Sequence, residues 1–82
     1  MQITAADVLY SLKEALDEFS LTLDFSKLSK EEMEKILSDY ADAMQNYHQD
    51  DFHRERATLM ANEPVLKKCG LKGEDFVMLD FA

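Results

Sequence analysis

A chain of 82 residues with one proline and two glycines has little material for tight turns, which argues against a turn-rich all-β fold. A single cysteine, Cys69, excludes an internal disulfide and suits a reducing compartment. Tryptophan is absent, and the longest uninterrupted apolar run is the four residues 76–79, far short of a membrane span. No basic, apolar leader opens the chain, so secretion is not expected and the cytoplasm is the expected compartment. Basic residues are scarce where it matters for nucleic acid. Through Asp51 there are twelve acids against four bases, whereas from Phe52 onward there are five of each. The whole formal excess of −8 therefore lies in the first two thirds. Such a surface repels nucleic acid and anionic membranes, and steers toward cationic partners over a Debye length of ~8 Å.

What is present is helical pattern, which points to an all-α domain of three to four helices at about 4–20, 30–48, 50–62 and 64–69. At this length one domain spans residues 1–82, and it buries roughly 60% of its unfolded surface. The second helix is the best specified. Ser29 and Glu32 stand three apart, as a capping box requires, and Leu28 and Met33 are spaced for a hydrophobic staple. Met33, Ile36, Leu37, Tyr40, Ala41, Met44 and Tyr47 then recur at steps of three and four. Thr4 opens the first helix with Asp7 in its first turn, and Val8, Leu9, Leu12, Ala15, Leu16 and Phe19 form its apolar stripe.

Residues 21–25 alternate apolar and polar, as a short strand or as an extended linker with three apolar anchors. The Leu-Asp-Phe triplet returns in residues 77–81, so the two stretches are spaced to pair as a ribbon. From Gln45 to Arg56 no aliphatic residue appears. Either one helix runs from Lys30 to about Ala61, ~48 Å long at 1.5 Å per residue, or the chain breaks near Gln49 to Asp51 and an aspartate caps a new helix. The break is favoured. Asn62 and Pro64 suit the start of a fourth helix, and Gly70 suits a Schellman ending with Leu66 facing Leu71. The remaining tail reads as a docked turn, helical from Glu74 and Asp75, or as a short strand.

Catalysis is not expected, and neither a cofactor nor a metal is called for. His48 and His53 stand five apart, about 140° around a helix, so each reaches at most one of the nearby aspartates as a co-ligand. Cys69 lies at a helix C-terminus, the wrong end for a thiolate, and reads as a small buried hydrophobe. Gly-rich phosphate loops and serine nucleophile elbows are missing.

Surface is what remains. Carboxylates on neighbouring helix turns lie ~5–6 Å apart, comparable with phosphates that recur every ~3.4 Å along a nucleic-acid strand. An acidic helical chain of this size can therefore occupy a basic groove built for DNA or RNA. The partner-binding set expected on that basis is Glu14, Asp17, Glu18, Glu34, Asp39 and Asp42, with Tyr10, Tyr47 and Phe52 as aromatic anchors. By size and charge the chain resembles the small acidic inhibitors that phages and mobile elements direct against nucleases and other nucleic-acid-binding defence proteins. That resemblance implies a nucleic-acid mimic and carries no residue roles. The expectation is a non-enzymatic module that binds a basic, nucleic-acid-handling protein and contacts neither nucleic acid nor membrane directly. The alternative is a self-associating structural or assembly module, a homodimer through the 47–59 segment.

Overall fold

A computed structural model describes residues 4–46 and 51–81, and among them it contains helices and no strand. The order is α1 (Ala5–Asp17), a single 3-10 turn (Phe25–Lys27), α2 (Lys30–Asn46), α3 (Asp51–Ala61), α4 (Glu63–Lys68) and α5 (Gly73–Asp80).

Helix starts are set by their own side chains. The Thr4 hydroxyl accepts from Asp7 N–H at 3.2 Å, and the Asp7 carboxylate accepts from Thr4 N–H at 3.1 Å. Ser29 and Glu32 repeat the exchange at the head of α2, at 3.1 and 2.8 Å. Each exchange satisfies two backbone donors that a helix start otherwise leaves unpaired. At α5 only half the device is present: Asp75 accepts from Lys72 N–H at 2.7 Å, and lysine has no acceptor with which to return the bond.

Val8, Leu12 and Leu16 of α1 meet Ile36 and Tyr40 of α2, Leu59 of α3, Leu66 of α4, Leu71, and Phe76 and Leu79 of α5 in one core. α2 and α3 run antiparallel. Lys35, near the start of α2, reaches Ala61 O at 3.3 Å and Asn62 Oδ1 at 3.1 Å at the far end of α3. The chain therefore reverses between Asn46 and Asp51, and the longest dimension of the molecule, 33 Å, has no room for the ~48 Å single helix. The reversal itself, with Tyr47 and His48, lies outside the described residues.

Several expectations need correction. On α2 the buried alanine is Ala43, while Ala41 faces solvent. Asn62 does not cap α4 with its side chain. Its amide is buried and turned back between α2 and α3, where Nδ2 donates to Asp39 Oδ2 and to Thr58 O, each at 2.9 Å. The tail is helical and not a strand, and its helix runs to eight residues rather than a single turn, because Phe76 and Leu79, three apart, share one buried face. No ribbon joins the two Leu-Asp-Phe stretches. Residues 21–24 are an extended linker whose Leu21 and Leu23, with Phe25 of the 3-10 turn, rest on the core, and Asp24 N–H donates to Cys69 O at 3.0 Å.

The ending of α4 follows the glycine. Gly70 has φ +120°, and its N–H donates to Lys67 O while Leu71 N–H donates to Leu66 O, both at 3.2 Å, the bonding pattern of a Schellman motif. The turn after α1 has the same pattern without glycine. Ser20, at φ +58°, donates to Asp17 O and Leu21 to Leu16 O, both at 3.0 Å.

One contact ties α4 to the head of α2. Lys68 Nζ lies 2.6 and 2.8 Å from the two oxygens of Glu32. The Lys68 bond, then the Ser29 N–H bond, hold the Glu32 carboxyl below its ordinary pKa against a smaller opposing effect of burial. A depressed folded value means that this contact adds stability above the unfolded pKa and loses it as the pH falls through the folded value. Lys68→Met is expected to move the Glu32 titration midpoint, followed by NMR, upward toward the ordinary glutamate value. An unmoved midpoint would show that the pair does not form in solution.

Candidate acidic interaction surface

Because α1 buries Val8, Leu12 and Leu16, its opposite side must face water. Tyr10, Glu14, Asp17 and Glu18 all lie there, within about 100° of arc, and all four are exposed. Tyr10 is 66% exposed. The neighbouring Glu14 carboxylate, first by hydrogen bonding and then by its charge, raises the tyrosine pKa above its ordinary value.

Two depressions flank this ridge. On one side Ser11, Glu14 and Glu18 face Phe52 and Glu55 of α3 across an open polar cleft of about 280 Å³. Phe52 is held at the cleft by Phe19, their ring centroids 5.9 Å apart and inclined at 38°. Of the residues singled out from the sequence, Glu14 and Glu18 thus share a cleft with Phe52, while Tyr10 and Asp17 lie beside them on the ridge. On the other side, Lys13 and Asp17 border a smaller apolar cavity beneath the 21–25 linker.

The α2 residues stand apart from that group. Glu34 and Asp42 are exposed on α2, off the face that buries Ile36 and Ala43. Asp39 is partly covered and engaged: it pairs with Lys35 at 2.7 Å and accepts from Asn62. Its carboxylate holds α2 to α3 as well as adding to the surface charge. Tyr47 lies outside the described residues.

Glu55 and Ser11 are cleft-lining residues that the sequence did not single out as binding residues. Glu55 is buried and Ser11 half-buried, and both reach the cleft only because α1 packs beside α3. Neither periodicity nor motif reports which helices are neighbours, so no local signal marked them.

Among the described residues no three histidine, cysteine, aspartate or glutamate side chains converge as a metal set. His53 is half-buried with its ring 6.2 Å from that of Phe52. Cys69 is buried, and burial raises its thiol pKa, which disfavours the nucleophilic thiolate. Among the described residues no helix is long and apolar enough to cross a membrane. No family model, curated protein or solved structure matches this chain.

Proposed function

We propose that this chain is a non-enzymatic binding module that docks the acidic ridge of α1 on a basic, nucleic-acid-handling protein in the cytoplasm and blocks or recruits it. The observation that carries this reading is the grouping of Glu14, Asp17 and Glu18 with Tyr10 on one exposed ridge of a capped helix, beside a cleft completed by Phe52. A rigid helix presents its carboxylates at fixed spacing, so little entropy is lost in matching them to a cationic groove. Tyr10 and Phe52 add the aromatic area on which interfaces depend. Glu34 and Asp42 extend the negative field and steer the approach. The role is that of an inhibitor or nucleic-acid mimic of the phage or mobile-element kind. Self-association through the 47–59 segment has weaker support, because Leu59 is fully buried and Phe52 is half covered.

The test is retention of basic nucleic-acid-binding proteins on immobilised chain at low and high salt, compared with a Glu14→Lys, Asp17→Lys, Glu18→Lys variant. These three positions are exposed, so the variant keeps the helical circular dichroism of the parent. Asp39 is left intact because its reversal would disturb α2 and α3. Retention is expected to fall at least about tenfold in the variant, to weaken with salt, and to be displaced by duplex DNA. Retention that survives all three reversals would overturn the proposal.

A further inference from the structure

α5 has two apolar sides, and only one is used. Phe76 and Leu79 enter the core, while Val77 (58% exposed), Met78 (40%) and Phe81 (84%) lie together on the opposite side. An exposed apolar ridge at helical spacing marks a contact surface. The same chain contains a receptor of matching kind. The cavity flanking α1 has a volume of about 110 Å³, is walled by Leu16, Leu21, Leu23 and Phe25, and is bordered by Lys13 and Asp17. An aliphatic and aromatic cavity of about 150 Å³ accepts a benzene ring, so an open one of this size suits a phenyl side chain entering from outside.

Charge selects the donor. Lys13 is the one cation lining the cavity and has no ion-pair partner among the described residues. Asp80, directly before Phe81, is exposed, and its carboxylate likewise has no partner among the described residues; only its backbone carbonyl is engaged, by Arg56 at 3.4 Å. We infer that α5 of one copy of this chain docks Phe81 into the α1 cavity of a second copy, with Asp80 of the incoming copy paired to Lys13. The incoming helix carries Glu74, Asp75 and Asp80 and no base, so Lys13 at the cavity rim is the group that draws it in. Repulsion between the remaining charges is screened beyond ~8 Å at physiological salt. A two-turn helix covers much less than the ~800 Å² per partner of a stable dimer, so the association is weak and depends on concentration.

The experiment is sedimentation of the full chain over a concentration series at physiological salt. Wild type is expected to gain mass with concentration. Phe81→Ala, Lys13→Glu and Asp80→Lys, all at exposed positions, are each expected to associate at least about tenfold more weakly. Combining Lys13→Glu with Asp80→Lys restores the pair with reversed sign and is expected to recover association. An equimolar mixture of the Phe81→Ala and Lys13→Glu chains is expected to pair more tightly than either chain alone, because one keeps the cavity and the other the phenyl group. A wild type still monomeric at ~1 mM, association indifferent to Phe81→Ala, or failure of both the charge swap and the mixture would each overturn the inference.

Discussion

Phe76→Ala is expected to be the most destabilising single truncation of α5. Phe76 is among the largest fully buried side chains, and with Leu79 it provides the buried face of α5. Truncating a buried phenylalanine costs ~3–5 kcal/mol, through lost transfer energy and the cavity left behind. A chain of this length has ~4–12 kcal/mol in total, so the loss takes a large part of it. Urea denaturation followed by circular dichroism measures the change. A loss below ~1 kcal/mol would mean that α5 is peripheral and that its removal leaves the other helices to hold the core. Val77→Ala, on the exposed side of the same helix, is the control and is expected to fall within about 0.5 kcal/mol of wild type.

Asn62→Ala is expected to cost ~2–3 kcal/mol although it removes no apolar contact. The Asn62 amide donates to the Asp39 carboxylate and to Thr58 O, and its oxygen accepts from Lys35 at 3.1 Å. Removing it leaves the Thr58 carbonyl without that donor and Asp39 with Lys35 alone. Asn62→Asp is expected to be worse, since it replaces the donor with a second carboxylate facing the first. Comparing Asn62→Ala, Asp39→Ala and the double variant isolates the coupling, expected to exceed ~0.5 kcal/mol for residues in direct contact. Additive losses would show that the bond contributes nothing of its own.

These two residues show how far the sequence could be read. Helix starts were legible because their determinants are local: Ser29 with Glu32, and Thr4 with Asp7, form the bonds that their spacing implies. Gly70 likewise ended α4 where it stands. The ends without glycine were harder, since Ser20 occupies the left-handed position after α1 at some conformational cost and gives no sign of it in the sequence. α3 was only partly legible because its buried face includes Glu55 and Thr58, and polar residues there blur the apolar period. Asn62 looked like a cap because asparagine at that place usually is one. Tertiary contact with α2 claimed its amide instead. The α1 ridge could be read from periodicity, since exposure opposite a buried stripe follows from helix geometry. Its flanking cleft could not, because the cleft exists only where α1 meets α3. Asp39 shows the converse. It was read as surface charge alone, and it serves equally to join two helices.

Cys69 gives the molecule an internal clock. Its sulfur lies in the interior and its carbonyl is bonded to Asp24 across the 21–25 linker. An alkylating reagent reaches that sulfur only during the moments when α4 parts from its surroundings. The pace of alkylation is therefore set by how often such partings occur, and a single atom supplied by the native chain reports how often that corner of the core opens.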